Sequence, residues 1–210
     1  GKQDVLRYVL TINAPENKDN DFTWKDFQNR NNGELVAILG NFINRVVVLT
    51  KKYYDSYVPS KNELDDKDKT VLSLVNMSIK KIEHSLNDFK FRDACSEFMN
   101  IARIGNKYLA DEEPWKVIKE SPERVKTVIF ISLHISSVIA IVAEPFIPFT
   151  SNKIKNILNF KDKIDWSWKS LNQTDFLLKE NHKINEPELL FDRIEDSEIQ
   201  LQIDKLHKNN

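Results

Sequence analysis

Glycine is scarce, with 4 in 210 residues and none in a Gly-x-Gly cluster. That excludes the phosphate-cradling turns of dinucleotide-binding and P-loop proteins. One cysteine, Cys95, excludes an internal disulfide, fits a reducing cytosol and is expected to fill core. The histidines, His84, His134, His182 and His207, have neither His-x-x-x-His spacing nor a cysteine pair nearby, so no metal site is expected. His134 reads as a helix residue packed in the core. Asp65-Asp66-Lys67-Asp68 is acidically dense, but it lacks a glycine turn and a glutamate at EF-hand distance, so it reads as a solvated helix start. The longest apolar run, Val128 to Ala143, is interrupted by Ser132, His134, Ser136 and Ser137. It falls short of the roughly 20 residues a membrane span needs, and no membrane is expected. Net charge is also lacking: a formal −1 argues against non-specific duplex binding but leaves room for a local basic face. Arg45, Lys51, Lys52, Arg103, Lys107, Lys116 and Lys119 are its candidate contributors.

What is present is helical patterning. At 40% hydrophobic, the chain can bury one substantial core. Its apolar positions recur at spacings of three and four rather than alternating. A helix is expected over Asn32–Tyr57 with Leu35, Leu39, Phe42, Ile43, Val46 and Leu49 inward, ended by Pro59. A second is expected from Asp65 to Phe89, carrying Val71, Leu72, Val75, Ile79, Ile82 and Leu86. A third, from Lys90, carries Ala94, Phe98, Ile101, Ala102 and Tyr108. Ser121-Pro122 opens another, with serine as cap and proline in the first turn. Its apolar continuation to Ala143 is expected to be buried on several sides. Further helices are expected over Phe149–Leu158 and Glu195–Leu206, with Asp165–Trp168 and Asn172–Glu180 irregular and the polar end to Asn210 frayed. Trp24, Trp166 and Trp168 read as structural anchors.

Two segments carry chemistry: Glu34-Leu35-Val36-Ala37-Ile38-Leu39-Gly40-Asn41-Phe42-Ile43-Asn44-Arg45, and Lys107-Tyr108-Leu109-Ala110-Asp111-Glu112-Glu113-Pro114-Trp115. Residues four apart on a helix project from one face, so Asn41 and Arg45 can act together. An Asn amide offers a donor and an acceptor, an Arg a fork of donors, and together they can read the edge of an unstacked base. Pro114 biases the residue before it away from helix and can set Trp115 on a corner. There the indole can serve as a stacking platform, a contact worth about 1–3 kcal/mol per base whichever base it is. Discrimination would then fall to Asn41 and Arg45. An Asn and an Arg four apart on a helix are common, so the specificity of the signal lies in the combination.

These segments resemble the methionyl-tRNA synthetase family, and the likeness runs along essentially the whole chain. Asp4–Leu10, Pro15-Glu16 and Asp19–Phe27 resemble the family's connection out of its catalytic domain. Glu144-Pro145-Phe146-Ile147-Pro148-Phe149 resembles its Pro-x-x-Pro helix junction, and Leu190–Ile194 its closing strand or turn. Gly33 and Ala37 depart from the family's more polar residues. The resemblance implies an all-α helix bundle of the class I aminoacyl-tRNA synthetase anticodon-binding kind, with residues 1–30 as connector and 31–210 as the helical domain. It implies binding of the CAU anticodon loop of tRNA(Met) in the cytoplasm: Trp115 stacks on the first base, Asn41 and Arg45 bond it, and Pro114 sets the indole. No His-x-Gly-His or Lys-Met-Ser-Lys-Ser motif occurs, so no catalytic residue is expected here. ATP and methionine chemistry is assigned to a catalytic domain of the same protein. The start at Gly1 reads as a tag scar on the C-terminal portion of a larger enzyme. Two other readings stay open: the anticodon domain of another class I synthetase, expected to lack the Asn41, Arg45, Trp115 set, and a helical protein-interaction module, expected to pack the indole into its core.

Overall fold

The computed structural model describes residues 2–16, 19–160, 166–173 and 176–208, with the side chains of 172, 173, 207 and 208 set aside. The described residues form helices α1 (Lys2–Ile12), α2 (Trp24–Arg30), a π-helical segment (Asn31–Gly40), α3 (Asn41–Tyr54), α4 (Asp66–Asn87) and α5 (Phe91–Glu112). A single turn α6 (Pro114–Val117) follows, then α7 (Pro122–Val142), α8 (Pro148–Ile157), α9 (Trp168–Gln173) and α10 (Asp196–Lys208). Among the described residues there is no strand, only an isolated bridge between Tyr57 and Lys183.

Local chemistry sets most boundaries. Thr23 caps α2, its hydroxyl accepting from the Asp26 amide. Asp65 and Asp68 form a reciprocal capping box on α4, satisfying two helix-end donors. Pro122 stands in the first turn of α7, where its missing N–H costs nothing, but the Ser121 side chain makes no cap bond. The expected Asn32–Tyr57 helix is part of a longer rod beginning at Trp24, and it ends at Tyr54, before Pro59 can act. Asp55 and Ser56 turn left-handed with φ of 50° and 66°, and the Asp55 amide closes on the Thr50 carbonyl. A one-turn closure of this kind commonly ends helices.

Helix α7 is the centre. Its apolar residues face neighbours all round, and Ser132, Ser136 and Ser137 give their hydroxyl protons to carbonyls one turn back, at Val128, Ser132 and Leu133. By length and apolarity Trp24–Tyr54 and Pro122–Val142 could each cross a membrane, yet 94% of the second one's apolar window is buried inside the bundle. Helices α4 and α5 pair as a hairpin, and α5 also packs on α7, α1 and the π segment. Cys95 is fully buried, and burial pushes its thiol up, as expected of a core filler. His134 is buried too, accepting at Nδ1 from the Leu177 amide.

The N-terminal helix belongs to this core. Arg7 donates to the Pro145 and Phe146 carbonyls, and Asp4 accepts from the Thr150 amide at the start of α8. Leu190–Ile194 forms no strand: it is extended chain held by side chains. Asn31 donates to the Asp192 carbonyl, while Asn32 both donates to and accepts from the Ile194 backbone. Helix α9 takes in Trp168 at its start and Asn172 and Gln173 at its end, where irregular chain is expected, whereas residues 176–180 are irregular. Asp165, Thr174, Asp175 and Asn210 lie outside the described residues. Trp24 packs edge-on against Phe22 and Phe27, and Trp166 lies against Phe160, so both act as anchors.

Candidate nucleic-acid interface

Asn41 and Arg45 lie on the outer face of α3, at its first turn, beyond the point where the π segment gives way to α-helix. Phe42, Ile43, Val46 and Val47 take the inner face, so the polar pair is left facing outward by the pattern that anchors the helix. Helix α5 crosses close to α3 here because residue 105 is glycine. A Cβ there would lie 2.6 Å from Phe42 Cε2, inside the space the ring occupies. The neighbouring Asn106 is thereby brought to Asn41, whose Nδ2 donates to Asn106 Oδ1 at 3.4 Å.

Trp115 arrives from the other side. Helix α5 ends when Glu113 turns left-handed (φ 39°), its amide bonding the Leu109 carbonyl, and Pro114 starts α6 as its first residue. Pro114 is buried and Trp115 is 36% exposed, so the proline anchors the turn and the indole stays at the surface. The Arg45 guanidinium lies over that indole, 4.7 Å from the ring centroid. A cation held over an aromatic face is attracted by the ring's quadrupole. The structure thus brings Asn41, Arg45 and Trp115 into one corner, with Pro114 beneath it.

The corner rests on a charge network centred on Asp68: the stretch starts α4 with Asp65, Asp66 and Lys67 exposed, as expected, and the solvated reading is corrected at Asp68 alone. Asp68 has no exposed side-chain surface; Arg124 of α7 clamps it with two bonds of 2.6 and 2.8 Å, and the Tyr108 hydroxyl donates to it at 2.5 Å. Arg124 Nε bonds Glu112 at 2.9 Å, and Lys67 bonds the same carboxylate at 3.1 Å. Burial pushes the Asp68 carboxyl up, but the bonds from Arg124 and Tyr108 outweigh it and hold the group below its ordinary value. The network ties α4, α5 and α7 together one residue before the Glu113 turn.

The expected basic face is only partly free. Lys51 pairs with Glu186, Lys107 with Asp111 and Lys116 with Glu113, while Lys52 lies over the Tyr53 ring. Arg103 and Lys119 are exposed, with no ion pair among the described residues. The corner thus offers a shaped aromatic and polar surface with few free cations. Asn106 is the participant that sequence reasoning missed. The signal was Gly105, a glycine inside a helical pattern, which marks a close approach. No group of three or more His, Cys, Asp and Glu side chains placed to hold a metal occurs among the described residues.

Residues 58–207 match the family described as anticodon binding domain of methionyl tRNA ligase, and residues 1–47 match class I tRNA synthetases of the methionine type. The chain is 52% identical to a methionine–tRNA ligase of Flavobacterium johnsoniae over 98% of its own length, and it covers 32% of that relative. It is 56% identical to one of Bacteroides fragilis, again over 98% of its length, covering 30% of the relative. The chain therefore spans about a third of the curated relatives it matches. Among solved structures, the free-state methionyl-tRNA synthetase of Mycobacterium tuberculosis superposes with a TM-score of 0.85 at 21% identity, over 91% of this chain and 39% of that one. The same enzyme in complex with methionyl-adenylate gives 0.84 at 21% identity, over 90% of this chain and 37% of that one. At that identity the likeness is one of fold.

Proposed function

The chain belongs to the methionyl-tRNA ligase family, as the part that matches its anticodon-binding domain, and we propose that it reads the CAU anticodon of tRNA(Met) at the Asn41, Arg45, Trp115 corner. The observation that carries this reading is the Arg45 guanidinium poised over a surface-held indole on the same helix face as Asn41. A base laid against Trp115 meets Arg45 donors and an Asn41 amide at its polar edge. Stacking supplies affinity that is blind to sequence, and the polar pair supplies the choice of cytosine at the first anticodon position. Pro114, as the buried foot of the turn, sets the indole's position.

In the whole protein this recognition serves attachment of methionine to tRNA in the cytoplasm, with ATP used in a catalytic domain outside these residues. Residues 1–30 are the side of the bundle on which that domain joins the helical part at 31–210, and their helix α1 packs into the same core. Splaying bases out of a stacked loop costs free energy, so binding by this part alone is expected to be weak. An interaction module would hide its indole in the core; this one keeps 36% of Trp115 exposed.

The test is a binding panel with anticodon stem-loops carrying CAU and UAU at fixed salt. Trp115→Ala weakens both loops by a similar factor, about 1–3 kcal/mol. Arg45→Ala and Asn41→Ala instead narrow the gap between CAU and UAU, by about 1–3 kcal/mol if each acts as a specific base contact. Equal effects of all three substitutions on both loops contradict this division of roles.

A further inference from the structure

Asn106 lies behind Asn41, and both donors and the oxygen of its amide are engaged. Its Nδ2 donates to the Ile38 carbonyl at 2.9 Å and to the Ala102 carbonyl at 3.0 Å, using both N–H bonds. Turning the amide over would press its oxygen against two carbonyl oxygens, so the orientation is fixed by the hydrogen-bond network. The oxygen left over, Oδ1, faces Asn41 and accepts from Asn41 Nδ2 at 3.4 Å. An acceptor held in that place makes Asn41 turn its nitrogen inward and its carbonyl oxygen outward. Ala102 and Asn106 belong to α5 and Ile38 to the end of the π segment, which runs on into α3, where Gly105 of α5 lies against the Phe42 ring. The orientation is therefore built into the helix packing.

We propose that Asn106 is a positioning residue that sets the Asn41 side chain as a hydrogen-bond acceptor toward the nucleic acid, and so makes the site select a base bearing an exocyclic amino group. The inference rests on the base-reading role given to Asn41 above. Cytosine presents an amino donor where uracil presents a carbonyl acceptor. An outward Asn41 oxygen bonds the first and repels the second. An amide free to flip would accept either, because its nitrogen could be offered to the uracil oxygen. Specificity at this point then comes from a residue that need not touch the RNA.

The experiment compares CAU and UAU stem-loops binding to the full 210-residue chain as wild type, Asn106→Ala, Asn41→Ala and the double variant, with thermal unfolding followed on the same samples. Asn106→Ala is expected to lower the CAU:UAU affinity ratio about tenfold, mainly by improving UAU binding. In the Asn41→Ala background, removing Asn106 should leave the ratio where it was, because no amide remains to orient. Asn106→Ser, which keeps one donor for a backbone carbonyl, serves as the second variant where alanine lowers the melting temperature. A merely structural role would weaken both loops alike and keep the ratio. An unchanged ratio in Asn106→Ala and Asn106→Ser, in a wild type that prefers CAU, overturns the positioning role alone. A wild type that binds neither loop, or both equally, overturns the base reading itself.

Discussion

His134 and Asp68 are buried ionisable groups with opposite fates. Burial lowers the His134 imidazole from an ordinary 6.5 to about 4, so the folded chain keeps it neutral where the unfolded chain takes up a proton. Stability from this group is complete above about pH 6.5 and drains away as pH falls toward 4. Asp68 behaves as a paired carboxylate. Burial alone would raise it, yet Arg124 and Tyr108 hold it below its ordinary 3.8. Its contribution is therefore present above about 3.8 and is lost only as pH falls further, through the depressed folded value. Urea midpoints measured from pH 7 to 4 should decline for the wild type and stay flatter in His134→Met. The steep loss below pH 4 should remain in that variant, because Asp68 is untouched. A His134→Met protein with the wild-type slope between 6.5 and 4 would show that the imidazole is not the group responsible.

Helix α5 decides the site's geometry at the scale of elements, and its Gly105 contrasts with Gly33 of the π segment. At Gly105 an added methyl runs into the fully buried Phe42 ring, while at Gly33, in the π segment, it meets nothing within 4 Å. Gly105→Ala should lose stability, because overpacking costs about 1–3 kcal/mol and exceeds the ~1 kcal/mol an alanine gains over glycine in a helix. By forcing α3 and α5 apart it should also erode the CAU preference. Gly33→Ala should be neutral or gain up to about 1 kcal/mol. Chemical denaturation of both variants checks the pair; equal effects would remove the close crossing as an explanation. These elements also show what the sequence made legible. The inward faces of α3, α4 and α5 follow from apolar spacing, and the Glu113-Pro114 corner follows from proline chemistry. The π segment did not follow, since Asn31, Leu35, Leu39 and Ile43 at intervals of four fit an ordinary helix equally well. Nor did the burial of Asp68, because its partner Arg124 lies 56 residues away and nothing local announces a long-range clamp. Asn106 escaped notice for the same reason: its role depends on a crossing that only packing creates.

For the molecule as a whole, the bundle presents one polar and aromatic corner on a body with almost no net charge. Three of the seven cations expected to form a basic face are spent on acidic neighbours. Binding should therefore depend more on the fit at Trp115 than on electrostatic attraction, and the indole should report it. Trp24 and Trp166 are held in aromatic packing elsewhere. The most direct measurement is a tryptophan-fluorescence titration of the wild type and Trp115→Phe with stem-loops carrying CAU or a scrambled anticodon, at fixed salt. Saturable quenching by CAU, absent with the scrambled loop and lost in Trp115→Phe, is the predicted result. Quenching that persists in Trp115→Phe, or a wild-type signal that does not distinguish the two loops, would contradict the assignment of the anticodon to this corner.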